Sequence, residues 1–597
     1  MKKFNKILLV YPEVPNNTFW SFKYALKFLK KKSAMPPLGI ITVAALFPEE
    51  YDLKLIDMNV ELLNDKDIIW ADAVFISAMI VQKNSMERVI AACNRLGTKV
   101  VLGGPHPTAS YKEIHGVDHF VLGEVEDMFR EFLDDLENGV AKKLYPLPER
   151  PDMFSRAIIP RFDLLNLKAY SSMSVQFCRG CPFKCEFCDI WKVYGNKPRL
   201  KNPEYFLYEL DSLYDSGWRG PVFIVDDNFI GNKGKIKKWL LPALKKWQED
   251  HDFVYRFFTE ASINLAEDEE LMAGMRDAGF NEVFIGIETP SMKCLKETGK
   301  TQNLKTDMQG AVRKIQQYGL EVMAGFILGF DSDTDDIFER QISFIQETGI
   351  PKAMVGLLTA LPGTNLYSRL LKEDRIIGKS SGNNTDSISL NFKTIMAPIK
   401  LIKGYKNVLS NIYDSNLKNY FIRCNKLIDN LGDTAYFKRK FRIHDLMILF
   451  RSVFYQPFTP YGYQYIKFVI RNFIKHRKNF SEIIRFSIIG HHFHTITQER
   501  RKIEKIISYM DEKNRYLSEQ IRLYSEMVID GSRELPGNIA DLWNQKKEIL
   551  DKTRNKINKI HVDFRNETIA QYNDAATRMQ ALFCSFEKDL IKYGITV

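Results

Sequence analysis

The chain has 597 residues, a net charge of +11 and 45% apolar residues, enough for three or four domains with sizeable cores. Four of its eight cysteines fall within positions 176–189, and the others (Cys93, Cys294, Cys424 and Cys584) are scattered, which excludes a disulfide-stapled secreted protein and points to a reducing cytoplasm. No apolar run reaches the roughly 18 residues of a membrane span, and Met1–Phe4 leads straight into a strand with no signal-peptide core.

Residues 1–140 alternate short β-rich runs, at 7–11, 53–57, 73–77, 99–103 and 119–122, with helical stretches such as 85–96. That alternation predicts a doubly wound parallel sheet. Such sheets bind ligands at the carboxyl ends of their strands. Those ends carry Ser77 and Met79, then Gly103 and Gly104, then Gly123 and Glu124. Glycine there lets the backbone come close to a large ligand. Alone, this pattern fits any nucleotide-binding or response-regulator-like domain. The loop histidines His106 and His115 read as solvated.

Residues 141–165 read as a linker, proline-rich at 145–151. Beyond it lie Cys178, Cys181, Cys185 and Cys188. Thiolates this dense suit a soft metal, zinc or iron–sulfur. Four could close a tetrahedral zinc site; three, spaced C-x3-C-x2-C, could hold a cubane with one iron left open. Six strand candidates follow in the core of 166–370, at 174–177, 222–226, 255–260, 282–287, 322–328 and 353–358, with helices such as 268–278 and 304–318 between. Six such units predict an open three-quarter barrel with its chemistry at the strands' carboxyl ends. Asp226, Asp227, Glu260, Glu288 and the glycines from Gly325 stand there.

The run Cys181-Pro-Phe-Lys-Cys185-Glu-Phe187-Cys188 resembles the cluster loop of the radical S-adenosylmethionine (SAM) superfamily, C-x3-C-x-aromatic-C. The resemblance implies a [4Fe-4S] cluster on Cys181, Cys185 and Cys188, with the open iron chelated by SAM and Cys178 a buried neighbour. It also implies SAM contacts from Asp226, Asp227, Glu260, Glu288 and Gly325. Carboxylates suit an ammonium or ribose hydroxyls, and glycine suits close approach to adenine. The plainer reading is that one or two of these carboxylates only cap helices or pair with nearby Arg and Lys. Placed before such a loop, the first domain resembles the cobalamin-binding domain of class B radical SAM enzymes, on the runs Met35-Pro-Pro-Leu-Gly39 and Gly103-Gly104-Pro105. Ser77, Met79, Gly103, Gly104, Gly123 and Glu124 are then expected around cobalamin. The loop Pro12–Asn17 has no D-x-H-x-x-G, so no lower-face histidine is expected from it. The alternative is an empty domain kept as scaffold.

Residues 371–495 read as a basic, aromatic helical domain. Between 437 and 486 stand eleven Lys or Arg against Asp445 and Glu482, leaving nine net positive charges. Aromatics from Phe441 to Phe473 interleave with them, and 466–475 reads as an amphipathic helix with a basic face. Such a helix could lie on an anionic membrane by salt-sensitive attraction of Lys467, Arg471, Lys475 and Lys478, or its aromatics could form a core of their own. No nucleic-acid motif accompanies the charge, so none is expected as partner. His491, His492 and His494 read as surface residues. In 496–597, Ile503, Ile507, Met510, Leu517, Ile521, Tyr524 and Val528 follow helical spacing with a gap at Asn514, breakers stand at Gly531 and Pro536-Gly537, and Trp543, Leu550, Ile557 and Phe564 recur every seven. Two long helices in a hairpin, or a coiled coil that pairs chains, are predicted.

Together with Val225–Gly231 and Ala360-Leu-Pro-Gly-Thr364, residues 1–490 resemble the branch of cobalamin-binding radical SAM enzymes that includes the hopanoid methylases. The activity implied is generation of a 5′-deoxyadenosyl radical and methylation of an unactivated carbon, of a lipid by that likeness. The rivals are radical coupling or cyclisation of a lipid without methyl transfer, and a non-enzymatic iron–sulfur or SAM sensor. No protein side chain is assigned a catalytic role; the cofactors carry the hard chemistry. A flavodoxin- or ferredoxin-type electron donor is implied, and the expected location is the cytoplasm, with the inner membrane face as a candidate station.

Overall fold

Runs of β-branched and apolar residues build two six-stranded parallel sheets. The structure, a computed structural model, describes residues 4–146, 150–385, 390–432, 443–529 and 540–592. Phe437, Lys438, Arg439, Lys440, Phe441 and Arg442 of the basic segment lie outside the described residues, as do Gly531, Pro536 and Gly537. The chain folds as two units, Met1–His492 and Phe493–Val597.

The first sheet holds β1 (Lys6–Tyr11), β2 (Asp52–Asp57), β3 (Ala73–Ser77), β4 (Lys99–Gly103), β5 (His119–Val121) and β6 (Leu144–Tyr145). Its spatial order is β2-β1-β3-β4-β5-β6, all parallel. Ile7, Leu8, Leu9 and Val10 are all fully buried, as a strand covered on both faces requires. The order reverses between β1 and β3, which opens a crevice at their carboxyl ends. Gln82 closes one side of it, its Nε2 donating to the Pro12 carbonyl at 2.5 Å. The linker expectation needs one correction: Leu144 and Tyr145 pair with Phe120 and Val121 and extend the sheet.

The second sheet holds β7 (Met173–Val175), β8 (Pro221–Ile224), β9 (Arg256–Ala261), β10 (Phe280–Glu288), β11 (Glu321–Leu328) and β12 (Ala353–Leu357). Spatial order follows chain order, every pair is parallel, and β7 and β12 are left as edges. This is the open six-unit barrel that the spacing predicts. Side chains alternate along each strand, so Phe223, Phe258, Glu260, Phe284, Met323 and Gly325 share the half-buried inner face.

Ion pairs lock the amino-terminal ends of these strands. Arg256 meets Glu482 at 2.5 Å, Lys352 meets Glu321 at 3.1 Å and also Glu282, and Arg485 joins Glu482 (2.6 Å), Glu282 (3.3 Å) and Glu321. Three cations meet three carboxylates there. Breaking such a buried set is costly because a charge is left without its partner.

Helices Pro398–Ile412 and Lys418–Leu431 continue the first unit, and Arg423 is fully buried against the Ile350 carbonyl at 2.8 Å. Helices Ile443–Tyr455 and Gly462–Lys475 follow. Of the described aromatics from 443 to 475 only Tyr461, Tyr465 and Phe468 are buried, so the aromatics of these two helices do not form a core of their own. Arg471 is committed to Asp429 at 2.6 Å, away from the role expected of it. The histidine expectation is corrected too: His492 and His494 are buried, and His492 Nε2 lies 2.9 Å from the Phe19 carbonyl.

The second unit contains the remainder of helix Phe480–Ile529, with Ala540–Ile557 and Val562–Lys592. The second arm of the expected hairpin is therefore two helices. Leu542, Ile549 and Ile557 are the buried apolar residues of the first of them, one position off the predicted set at Trp543 and Leu550. The gap at Asn514 is filled: its Nδ2 donates to the Ala575 carbonyl at 3.2 Å.

Candidate active site

Leaving β7, the chain is caught by two carboxylates from the end of β8. Asp226 Oδ1 accepts the backbone N–H groups of Phe177 (2.8 Å) and Cys178 (2.9 Å), and Asp227 Oδ2 accepts that of Gly180 (2.8 Å). Gly180 has φ +93°, and a Cβ there would stand 2.8 Å from the Gly195 carbonyl oxygen. Only glycine fits that turn without strain. Cys178 is fully buried, its thiol on the Arg179 carbonyl at 3.8 Å. The loop beyond is tied at both sides: Cys181 N donates to Gly195 O (3.1 Å), Glu186 N to Thr298 O (2.9 Å), and Leu366 N to Glu186 O (2.9 Å). Arg369 Nε adds a 2.7 Å bond to Glu186 Oε1.

Cys185 is buried, and Cys181 and Cys188 are half-buried on the same loop. Burial pushes all three thiols up from their ordinary range, and Lys300 opposes that for each. Iron supplies the positive charge that thiolates in this setting need. Among the described residues no three His, Cys, Asp or Glu side chains converge on one ion position. A cubane places each ligand on a different iron, so this short fixed loop of thiols fits one.

At the neighbouring strand ends the carboxylates gather. Glu260 is pushed up to about 8, chiefly by burial and then by Asp227. Burial likewise lifts Asp226 to about 7, against its two backbone donors, and Asp227 to about 6. The nearby cations are spent elsewhere: Lys300 on Glu288 at 2.6 Å, Arg179 on Glu124 (2.7 Å) and Glu126 (2.5 Å), Arg199 on Glu124 (2.5 Å). The site thus gathers carboxyl groups with no ion-pair partner among the described residues, and Asp226 Oδ2 has no hydrogen-bond partner. A ligand carrying a sulfonium and an ammonium fits it. Glu288 sits at φ +64° just past a register shift after Gly286, a strained conformation of the kind stored at binding sites. Asn303 Nδ2 pins it, donating to the Gly286 and Ile287 carbonyls at 3.1 Å each. Gly286 and Gly325 stand side by side in register; a Cβ on Gly325 would come within 3.0 Å of Phe284 Cζ.

Apolar groups fill the inner face nearby. Phe223 and Phe258 stack at 4.7 Å and 3°, Phe284 is in register with Glu260 and Met323, and Trp20 reaches Phe284 at 5.4 Å.

In the first sheet, Gly104 has φ +96°, and a Cβ there would strike Ser77 Oγ at 2.8 Å and Ala78 N at 2.9 Å. A Cβ on Gly103 would come as close to the Val121 carbonyl oxygen, and Gly123, at φ +75°, donates its N–H to Thr108 Oγ1 at 3.0 Å. Met79 is exposed at the crevice. His115 is exposed as expected, but His106 is buried, with neither ring nitrogen hydrogen-bonded; burial lowers its pKa and keeps it neutral. An unsatisfied imidazole beside bare glycine backbone fits a large ligand rich in amide groups, as cobalamin is. Glu124 is placed differently from the other five: its carboxylate is buried on Arg179 and Arg199, joining this domain to the cluster loop. Lys300, Arg179 and Arg199 were not singled out from the sequence. Their partners lie 12, 55 and 75 residues away, and no local pattern marks such pairs.

Comparison with known proteins gives three family models: a B12 binding domain over residues 28–133, the radical SAM superfamily over 175–345, and a domain of unknown function, DUF4070, over 364–505. An uncharacterised methyltransferase of Synechocystis sp. (strain PCC 6803) is 44% identical over 68% of this chain and 76% of that protein. The hopanoid C-2 methylase of Rhodopseudomonas palustris (strain TIE-1) is 32% identical over 82% of this chain and 92% of that protein. Among solved structures, the cobalamin-dependent SAM radical enzyme OxsB with aqua-cobalamin bound shares the fold, with a TM-score of 0.56 at 15% identity, covering 100% of this chain and 82% of that one. The bound groups implied are a [4Fe-4S] cluster, SAM and cobalamin, each of which the residues above fit. The chain belongs to the cobalamin-dependent radical SAM methyltransferases, the family of the hopanoid C-2 methylase.

Proposed function

We propose that the methyl acceptor is an unactivated carbon of a lipid. The observation that carries this reading is the inner face of the barrel, where Phe223, Phe258, Phe284 and Met323, with Trp20 against them, offer an apolar bed beside the carboxylate cluster. The likeness to a hopanoid methylase supports it. When bound, the cluster with SAM supplies hydrogen abstraction, and cobalamin supplies the methyl group.

The chain's own residues do the placing. Cys181, Cys185 and Cys188 hold the cluster, and Asp226 and Asp227 hold the loop that presents them. Glu260 and Asp227 would receive the cationic part of SAM, and Lys300, fixed by Glu288, would be the cation available to its carboxylate. Gly286 and Gly325 leave room for the nucleoside. Ser77, Met79, Gly103, Gly104 and Gly123 would bed the corrin, and the Glu124–Arg179 pair ties the domain that would hold it to the cluster loop. Positioning of this kind is worth many powers of ten in rate. The aromatic lining keeps water from the reacting carbon. Electrons come from a flavodoxin- or ferredoxin-type donor.

The test is anaerobic incubation of the reconstituted protein with methyl-deuterated SAM, a reductant and a lipid extract from cells deleted for the gene. A lipid gaining one labelled methyl is expected. Label in a water-soluble compound instead would overturn the lipid assignment. An altered lipid without label would favour coupling or cyclisation.

A further inference from the structure

Helices Ile443–Tyr455 and Gly462–Lys475 pack one face each onto the body of the protein. Ile448, Leu449 and Val469 join the cluster of Ala25, Phe28, Ile484 and Ile488. Ser452 Oγ lies 3.1 Å from the Tyr465 hydroxyl, and Phe468 stacks on Phe421 at 4.8 Å. Their other faces are exposed among the described residues, and those faces are not polar. Of 33 large apolar side chains exposed among the described residues, 12 fall between Leu446 and Ile474. Phe450, Phe454, Ile470 and Ile474 line the two helices; Phe458, 86% exposed, and Tyr463, 74% exposed, mark the turn between them. A patch this concentrated is far more than singly scattered surface residues account for.

From Leu446 to Ser481 the sequence has no acidic residue. Arg451 and Arg471 point back to Phe28 O and Asp429, while Lys467, Lys475, Arg477 and Lys478 are exposed beside the apolar stripe. Aromatics rimmed by cations match the boundary between headgroups and acyl chains. A second copy of the same face would set like charges against each other, which argues against a self-association surface.

We infer that this helical hairpin is a membrane-insertion surface: its aromatic face enters the headgroup–acyl boundary of an anionic phospholipid bilayer, with Lys467, Lys475, Arg477 and Lys478 at the phosphates. Apolar insertion, more than charge, holds it. That differs from the salt-sensitive adhesion read from the basic sequence, because the side chains found outermost are phenylalanine, tyrosine and isoleucine. The segment from Phe19 to Leu29 joins this surface to the barrel: Phe28 packs on Tyr455 at 5.7 Å, and Trp20 on Phe284 at 5.4 Å. The surface stands on its own observations, although it would give a lipid substrate a route to the barrel.

Flotation of the full-length holoprotein with phosphatidylcholine vesicles, with and without phosphatidylglycerol, tests it. The wild type floats with the anionic vesicles and is retained in substantial part at about 0.5 M salt, where charge attraction is screened. Phe450→Ser, Phe454→Ser, Phe458→Ser and Tyr463→Ser together cut binding by about ten-fold or more. Lys467→Gln, Lys475→Gln and Arg477→Gln together weaken it by a smaller factor and reduce the preference for anionic lipid. Unchanged cluster and cobalamin absorbance shows that each variant is folded. The inference is overturned if the wild type stays in solution at low salt, or if binding survives the serine variant. It is equally overturned if size exclusion shows a wild-type dimer that the serine variant dissolves while vesicles are ignored. Lipid methylation is read separately, on detergent-dispersed substrate, so loss of one result leaves the other standing.

Discussion

The two ends of the barrel each carry a buried group of carboxylates, and the groups are built to opposite rules. At the amino-terminal end Glu282, Glu321 and Glu482 face Arg256, Lys352 and Arg485, charge for charge. Burial would raise Glu482, yet Arg256 and Arg485 outweigh it and hold it down at about 2. At the carboxyl end Asp226, Asp227 and Glu260 have no cation of their own, and all three are pushed up to between about 6 and 8. One group is closed and serves the fold. The other is left without cations, and a cationic ligand completes it. Burial alone does not tell a structural carboxylate from a binding one; the accounting of nearby cations does.

The strongest way to break the carboxyl end is to remove its anchor. Cys181→Ala, Cys185→Ala and Cys188→Ala each abolish SAM cleavage, while Cys178→Ala, whose thiol is bonded inward, keeps it measurable; iron content and 5′-deoxyadenosine release check this. At the amino end, Arg485→Met leaves Glu321 and Glu482 short of a partner and costs about 3–5 kcal/mol of stability in denaturant unfolding, with SAM affinity unchanged. Glu260→Gln has the converse result: SAM affinity in equilibrium dialysis falls on the order of ten-fold, and the ligand-free protein loses no stability. Gly180→Ala forces a side chain into a left-handed turn and costs about 1–3 kcal/mol, read as slower and less complete cluster uptake.

Acid and base should separate the two ends as well. Glu482 has a folded pKa below its ordinary 4.5, so its contribution to stability is present above that value and is lost as pH falls through about 2. Glu260 has a folded pKa above its ordinary 4.5, so its contribution is present below 4.5 and is lost as pH rises through about 8. Thermal scans of Glu260→Gln beside wild type should therefore converge at acid pH and diverge toward pH 8, the variant being the more stable.

Much of this was legible in the sequence. The long apolar runs located eleven of the twelve strands of the two parallel sheets, because strands buried on both faces are nearly continuous in Val, Ile, Leu and Phe. The short β6 was missed, since two residues beside prolines carry no period. The cluster cysteines were legible because a dense thiol spacing has few other uses. Lys300 and the Glu124–Arg179 bond were not, because an ion pair between distant residues leaves no mark in either neighbourhood. The hairpin at 443–475 shows a different limit. Its aromatics recur at helical spacing, which reads equally as a core stripe or an outward one; only the packing of Ile448 and Val469 decides which face is which.

The measurement that tests this account of the carboxyl end most directly is proton release on SAM binding. Calorimetric titration of the cluster-loaded protein at pH 7, in two buffers of different ionisation enthalpy, counts it. A cation arriving beside Glu260 and Asp227 favours their ionised forms, so release of protons is predicted, and less of it from Glu260→Gln. Binding with no proton release, or with uptake, would contradict the assignment of these carboxylates to SAM.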